Sequence, residues 1–238
     1  MMNATGMPQE SANHQTDWDS ELIAQKVRQF QLPEHVRLVA ISKTFPSAAI
    51  RAAYAAGLRD FGENKVQEAI TKQAELTDLT DITWHFIGHL QTNKARKVVQ
   101  HFDWIHSVDS LKLARRLDRI AADISRPPTC CLQVKLLDDP NKYGLTETEL
   151  WQALPDLAEL SHIRLEGIMA IPPFGLLASE TQTFFERAYT LGRELANHRE
   201  TALPIRYFSM GMSQDFPLAI AAGANIIRLG TTLFGSRT

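Results

Sequence analysis

The chain is poor in cysteine: only Cys130 and Cys131 occur, and they are adjacent. Neighbouring side chains of a strand point to opposite faces, so we expect no disulfide between them. The sequence also lacks any apolar run near the ~20 residues that a membrane-spanning helix needs. Residues 1–21 show neither the basic nor the apolar region of a signal peptide. These absences predict a protein of the reducing cytoplasm with no membrane partner.

An excess of positive charge is missing as well. The chain has 25 Lys and Arg against 27 Asp and Glu, a net charge of −2. Binding to nucleic acid or to an anionic membrane usually requires a strong positive excess, so neither partner is expected. Apolar residues make up 44% of the 238 residues, enough for a sizeable core, and α/β barrels commonly fill this length as one domain. Residues 1–16 are polar and aperiodic, which predicts a disordered tail ahead of a single domain over residues 17–238.

Eight short apolar segments, each next to a helical pattern, organise the rest of the chain. They are nearly continuously apolar, as is typical of parallel strands that are buried on both faces. The predicted strands cover residues 36–42, 58–63, 84–88, 103–107, 129–137, 163–171, 205–211 and 225–235. This pattern predicts an α/β fold, a single-domain (β/α)8 barrel of the TIM type, with an open doubly wound sheet as the alternative. Asp17 or Asp19 is expected to cap the first helix, and Pro155 could interrupt the sixth.

In a barrel of this kind, functional side chains lie at the carboxyl ends of the strands. Lys43 follows the first predicted strand. A partly desolvated lysine has a lowered pKa, and its neutral amine can attack an aldehyde. The alternative is that Lys43 merely extends its charged group from the strand end into water.

The segments after the seventh and eighth strands are suited to a phosphate group. Ser209, Gly211 and Ser213 lie in the first of them, and Gly230 and Thr231 in the second. Hydroxyls, glycine backbone and the free amides at a helix start bind phosphate oxygens. Barrel phosphate sites often use these two loops. Ser213 could instead cap the following helix.

Three further side chains each have two interpretations. Arg228, at the end of the eighth strand, could donate to a ring nitrogen and keep it unprotonated, or form an ion pair. Asn64 could bind a ring hydroxyl or cap the helix that starts at Lys65. His89 could act as a general base or belong to a loop. No carboxylate completes a metal site with His85 and His89, so no metal is predicted.

Several longer segments of the sequence point to a known family. They are VAISKTFP, GLRDFGENKVQEA, WHFIGHLQTNKARKVV and FSMGMSQDFPLAIAAGANIIRLGTTLFG, in this order. Over about residues 17–237 the chain resembles the pyridoxal phosphate homeostasis family, and NKYGL (141–145) is similar to its cyanobacterial PipY branch. The resemblance implies a barrel like the N-terminal domain of fold-type III enzymes such as alanine racemase. It also implies that pyridoxal 5′-phosphate (PLP), a vitamin B6 cofactor, is held as an internal aldimine.

The resemblance further implies a role for each candidate residue. Lys43 corresponds to the lysine that bonds to PLP. Arg228 falls where the partner of the pyridine nitrogen is expected, and Asn64 falls near the ring hydroxyl. The phosphate contacts are expected at Ser209, Ser213, Gly230 and Thr231.

The function that the resemblance implies is PLP homeostasis with little or no catalytic turnover. Such a protein stores and delivers PLP, with PLP-dependent apoenzymes as candidate recipients, and influences the balance of amino and keto acids. The related racemases take an acid/base tyrosine from a second domain, for which the chain ending at Thr238 leaves no length. A small racemase or lyase that uses His89 is one alternative, and a phosphosugar-binding barrel without PLP is another. A monomer is expected because no apolar stripe stands out.

Overall fold

The computed structural model describes residues 18–140 and 142–235. Within them, eight parallel strands close into a barrel in the order β1 to β8, and helices connect successive strands. The predicted (β/α)8 barrel is confirmed, and the open-sheet alternative is wrong. The predicted tail at residues 1–16 and the candidate cap Asp17 lie outside the described residues.

Each predicted strand segment overlaps one strand of the barrel. The strands are β1 Arg37–Ile41, β2 Asp60–Glu63, β3 Thr83–Phe86, β4 Trp104–Val108, β5 Thr129–Val134, β6 Arg164–Ala170, β7 Tyr207–Ser209 and β8 Ile226–Leu229. The helices are α1 Ser20–Gln29, α2 Ser47–Ala55, α3 Val66–Glu75, α4 Ala95–His101, α5 Leu111–Ile124, α6 Glu147–Ala158, α7 Ala178–Ala196, α8 Phe216–Ala221 and α9 Thr231–Phe234. A short 3-10 helix, Thr92–Lys94, precedes α4.

The predicted extent of the last strand is wrong. Residues 225–235 were expected to form one strand, but β8 ends at Leu229 and Thr231–Phe234 form the helix α9. This turn of helix carries Leu233 and Phe234 into the apolar cluster that includes Ile23 of α1. The polypeptide therefore leaves the barrel wall immediately after β8.

Strand closure buries both faces of the sheet. β1 pairs in parallel with β8, with Leu38 opposite Ile227. In β5 the neighbouring cysteines separate: Cys131 lies in the cluster inside the barrel, and Cys130 packs in the cluster that includes the surrounding helices. Both are free thiols. This is the alternation of faces that strand geometry requires of adjacent residues.

Two local sequence signals, one at the start of α1 and one inside α6, can be compared with the structure. The Asp19 carboxylate accepts a hydrogen bond of 2.8 Å from the Glu21 amide, so Asp19 caps α1. The expected interruption at Pro155 is wrong, because α6 continues through this residue. Leu150 and Leu154 of α6 are buried against the barrel, and this packing outweighs the one backbone hydrogen bond that proline removes.

None of the helices within residues 18–140 and 142–235 combines the length and the apolar character that a membrane span requires.

Candidate functional site

An open cavity of about 320 Å3 lies at the carboxyl ends of the barrel strands. Its lining includes Met169, which is buried, and five of the seven residues that the sequence predicts as binding residues. These five are Lys43, Ser213, Arg228, Gly230 and Thr231. The fold therefore brings an amine, a guanidinium and two loop segments together around one space.

The backbone around Lys43 is held on both sides. The carbonyl oxygen of Ser42 accepts a hydrogen bond of 2.8 Å from the ammonium group of Lys72. The amide of Thr44 donates to Glu68 Oε1 at 2.6 Å. Thr44 has a φ of 69°, in the left-handed region that a branched side chain rarely adopts. The position of Lys43 is thus fixed by side chains of α3 as well as by its own strand.

The groups that hold this turn belong to a buried ionic cluster. The Lys72 ammonium donates to Glu63 Oε1 and to Glu68 Oε1, at 2.7 Å each. The Ser42 hydroxyl also donates to Glu63 Oε1, at 2.7 Å. Glu63 is fully buried, and its Oε2 has no hydrogen-bond partner within the described residues. Burial raises the pKa of Glu63, although the contact with Lys72 opposes the shift.

The Glu68 carboxylate, at the edge of this cluster, behaves differently. Burial alone would raise the pKa of Glu68, but the hydrogen bonds from Lys72 and the Thr44 amide outweigh it and lower the pKa. One lysine thus bridges two carboxylates directly behind the turn that carries Lys43.

Arg228 forms the inner wall of the cavity. Its residue surface is only 4% exposed. The guanidinium donates to the carbonyl oxygen of Ser209 at 2.5 Å, to Ser209 Oγ at 2.6 Å and to the carbonyl oxygen of Ala170 at 3.4 Å. Within the described part of the chain these acceptors are not carboxylates, so the expected alternative of an ion pair is not observed. Burial lowers the pKa of Arg228 to about 10, which leaves it protonated at neutral pH.

Ser209, a predicted phosphate contact, is not among the residues that line the cavity, so this contact stays a prediction. It is the last residue of β7 and is fully buried. Its hydroxyl lies 2.7 Å from His106 Nδ1 and accepts from Arg228. Ser209 belongs both to the predicted strand 205–211 and to the segment predicted to follow it; β7 ends at this residue, and its side chain contacts the guanidinium of Arg228.

The loop between β7 and α8 presents backbone amides at the cavity. Ser213 and Gln214 line the cavity, and their amides donate to no acceptor in residues 18–140 and 142–235. Gly211 has a φ of 90°, and a Cβ there would lie 2.7 Å from Cβ of Ala219. Asp215 holds the N-cap position of α8. The alternative role of Ser213 as the cap is therefore wrong.

The second loop contributes donors in the same way. Gly230 and Thr231 follow β8 directly. The amides of Thr231 and Thr232 begin α9, and the first amides of a helix have no intrahelical acceptor. Closure of the barrel brings residues of both loops to the cavity that Lys43 and Arg228 also line.

Asn64 lines a neighbouring cavity, which is also about 320 Å3 in volume and includes Lys65 and His89. The Asn64 Oδ1 atom is buried and has no hydrogen-bond partner among the described residues. α3 begins at Val66 with Lys65 at its N-cap position, so Asn64 does not cap this helix. Its backbone lies so close to Gly88 that a Cβ there would be 2.3 Å from the Asn64 carbonyl oxygen.

His89 contacts two side chains. Its ring stacks on Tyr143, with the two centroids 3.7 Å apart. Its Nδ1 lies 3.0 Å from Asp109 Oδ2. Residues 18–140 and 142–235 contain no group of three or more His, Cys, Asp or Glu side chains arranged to hold a metal ion.

Comparison with known proteins identifies the family. The family model of the N-terminal domain of alanine racemase matches residues 20–238. The pyridoxal phosphate homeostasis protein of Synechocystis is 49% identical over 218 residues, which cover 92% of this chain and 96% of the relative. The chain belongs to the pyridoxal phosphate homeostasis family. The resemblance predicted from the sequence motifs is confirmed.

Solved structures of this homeostasis family have the same fold. PipY from Synechococcus elongatus, solved without PLP, is 57% identical and superposes with a TM-score of 0.87, covering 90% of this chain and all (100%) of PipY. PipY with PLP bound is 56% identical, with a TM-score of 0.86 and the same coverage. The match to the racemase domain model and to PipY confirms the predicted relation to the alanine racemase barrel.

The sequence alone assigns no role to three polar residues that are buried behind the site. His85 and His106 interrupt the apolar strands WHF and WIHSV, and Glu63 ends the strand DFGE. All three side chains are fully buried. A polar residue inside an apolar strand needs a partner in the folded protein, and this signal could have found them.

Proposed function

We propose that this protein binds PLP in the cavity of Lys43 and serves PLP homeostasis by storing and delivering the cofactor. One observation carries the proposal: an amine, a buried guanidinium and amide-rich loops line a single cavity. PLP offers an aldehyde, a ring nitrogen and a phosphate, and each matches one of these groups. PipY, at 56% identity, has been solved with PLP bound, which supports the same ligand here.

Each group has a distinct role in this proposal. The Lys43 amine forms a reversible covalent bond with the aldehyde carbon, with loss of water. Ser213, Gly230 and Thr231 hold the phosphate through hydroxyl and amide donors. Arg228 donates to the ring nitrogen. The contact of Asn64 with the ring hydroxyl stays a prediction, supported by the unpartnered Oδ1 of this residue.

The geometry favours storage and delivery over turnover of amino acids. When bound, PLP supplies an electrophilic carbon and an electron-accepting ring. A guanidinium partner does not give its proton to the ring nitrogen, which weakens the ring as an electron acceptor. His89, the candidate base of the racemase or lyase alternative, lines the neighbouring cavity and is engaged by Asp109 and Tyr143. The proposed role is therefore non-catalytic.

The setting and the recipients are part of the same proposal. Free thiols at Cys130 and Cys131 fit the cytoplasm. PLP-dependent apoenzymes are the proposed recipients, since they need the group that this protein would hold. A monomeric state stays a prediction, as does the division into a tail at residues 1–16 and one domain at residues 17–238.

Borohydride reduction tests the proposal directly. Protein incubated with PLP, reduced and digested should yield one peptide that contains Lys43 and carries the added mass of the cofactor. Lys43→Ala should lose this adduct, whereas Lys65→Ala, a change in the neighbouring cavity, should keep it. An adduct on another lysine would refute the assignment of Lys43, and a protein that binds no PLP would refute the function. Sustained exchange of an amino-acid α-hydrogen with solvent would favour the racemase alternative instead.

A further inference from the structure

A chain of hydrogen bonds runs through the barrel interior and ends at the cavity. Asp60 Oδ1 lies 2.8 Å from His85 Nε2, and His85 Nδ1 lies 2.9 Å from His106 Nε2. His106 Nδ1 lies 2.7 Å from Ser209 Oγ, which accepts from Arg228 at 2.6 Å. Asp60 begins β2, whereas Arg228 faces the cavity at the opposite end of the strands. The chain thus links five strands, from one end of the barrel to the other.

The two ends of this hydrogen-bond chain, together with neutral imidazole rings, set the direction of each hydrogen bond in it. A carboxylate can only accept, so Asp60 takes the Nε2 proton of His85. A guanidinium can only donate, so Ser209 Oγ accepts from Arg228, and its own proton is available for His106 Nδ1. With both rings neutral, the Nδ1 of His85 is bare, so His106 carries its proton on Nε2, donates it to that nitrogen and accepts the proton of Ser209 at its own Nδ1. Each imidazole is neutral and holds its proton on Nε2.

The surroundings agree with this assignment of one proton per ring. His85 and His106 are fully buried, and burial lowers the pKa of both. Arg37, 3.7 Å from Asp60 Oδ1, and Arg228 also disfavour a further proton on His106. Trp104 stacks on His85 with 17° between the two rings, which restrains the ring plane.

A role as mere core filling does not account for this arrangement. A buried histidine needs a partner for its N–H and for its bare nitrogen, and any nearby backbone group could serve. Here each of the four ring nitrogens of His85 and His106 forms a hydrogen bond with a side chain that belongs to the same network. The hydrogen-bond chain also joins two groups of opposite charge, and none of the acceptors that Arg228 contacts within the described residues is a carboxylate.

We propose that Asp60, His85, His106 and Ser209 are positioning residues that form one directional relay and hold the Arg228 guanidinium toward the cavity. The relay connects the Asp60 charge to Arg228 through neutral, polarised groups. It deepens the proposed function and rests on it in one respect: the atom that Arg228 meets is taken to be the PLP ring nitrogen. In that role the relay keeps the guanidinium aligned and the ring nitrogen unprotonated.

Nitrogen NMR on the protein without PLP tests the relay independently of the cofactor. In 15N-labelled wild-type protein at neutral pH, both His85 and His106 should be neutral with the proton on Nε2. The buried rings are assigned by comparison with the single variants His85→Gln and His106→Gln. A proton on Nδ1 of either ring, or a cationic ring, would overturn the proposal.

Substitution of Ser209 tests the effect on the bound cofactor. Ser209→Ala breaks the link between His106 and Arg228, and we expect PLP to bind roughly tenfold more weakly. The absorbance of the bound PLP should gain a pH-dependent step near neutral pH, as the ring nitrogen becomes able to take up a proton. Ser209→Thr, which keeps the hydroxyl, should restore a pH-independent absorbance.

Ser107→Ala is the matched control. Ser107 is a buried serine of β4 whose hydroxyl donates to the Gly88 carbonyl oxygen and takes no part in the relay. This variant should keep the affinity and absorbance of the wild type. If Ser209→Ala binds PLP as the wild type does, with pH-independent absorbance, the relay has no role toward the cofactor. If the wild type binds no PLP, the proposed function fails, while the NMR result still decides whether the relay exists.

Discussion

At the scale of single residues, Lys72 connects the turn of Lys43 to the interior of the protein. Its ammonium donates to two carboxylates and to the backbone of Ser42. Its side chain is only 7% exposed, and that of Glu63 is fully buried. A buried ion pair contributes little net stability when intact, because desolvation of both charges offsets their attraction. Removal of one partner is different, since it leaves the other charge buried alone.

We therefore expect Lys72→Met to lower the free energy of unfolding by about 3–5 kcal/mol. The double variant Lys72→Met with Glu63→Gln should recover much of this loss, because no unpaired charge stays buried. Lys65→Met, at an exposed lysine of the same region, should change the stability by less than about 0.5 kcal/mol. Urea denaturation of the four proteins measures these differences. A Lys72→Met protein within about 1 kcal/mol of the wild type would contradict the importance of the cluster.

At the scale of elements, the loop between β7 and α8 depends on the backbone of Gly211. Two requirements meet at this residue: a φ of 90°, and a Cβ position 2.7 Å from the Ala219 side chain. Gly57, at the end of α2, has a similar φ of 97° but open space within 4 Å of its Cβ position. The two glycines separate the cost of backbone conformation from the cost of a steric clash.

Gly211→Ala should therefore be more damaging than Gly57→Ala. Gly57→Ala should lower the stability only by the cost of the left-handed backbone conformation, about 1–2 kcal/mol. Gly211→Ala adds a steric clash that displaces the loop, so both the affinity for PLP and the stability should decrease. Thermal unfolding and PLP titration of both variants measure the two effects. Equal stability losses, with PLP affinity unchanged in Gly211→Ala, would show that the loop tolerates the added methyl group.

At the scale of the whole molecule, buried histidines make the stability of the barrel depend on pH. Burial lowers the pKa of His85 and His106 in the folded protein. In the unfolded chain a histidine takes up a proton below about pH 6.5. The unfolded state then binds more protons than the folded state, so the free energy of unfolding falls as the pH decreases from about 6.5.

Each of the two histidines should contribute a loss of up to about 1.4 kcal/mol per pH unit in this window. Urea denaturation at pH 7.5, 6.5 and 5.5 should show the decline in the wild type and a shallower one in His106→Gln. Glu68, whose pKa is lowered, loses its contribution only at more acidic pH. Parallel slopes for the two proteins would contradict neutral burial of His106.

The barrel could be predicted from the sequence because eight apolar runs have the length and composition of buried parallel strands. Arg228 and Thr231 could be assigned to the cavity because Arg228 lies near the end of β8 and Thr231 follows it, and closure of the barrel brings this strand end beside Lys43. The contacts of Ser209 with His106 and Arg228 could not be predicted, since they join side chains of β4, β7 and β8 that are far apart in the sequence. The α9 helix could not be predicted because four residues are too few to show the hydrophobic periodicity of a helix.

Because the two cysteines on β5 lie on opposite faces of the sheet, their reactivity can report separately on the opening of the barrel interior and of the outer helical layer. Burial raises the pKa of Cys131 to about 12 and that of Cys130 well above its ordinary range. Thiolate is the form that alkylating reagents attack. One sulfur is shielded inside the ring of strands and the other beneath the outer layer of helices. Modification of each thiol therefore reports the opening of a different layer, and equal rates at both sites mean that the layers part together.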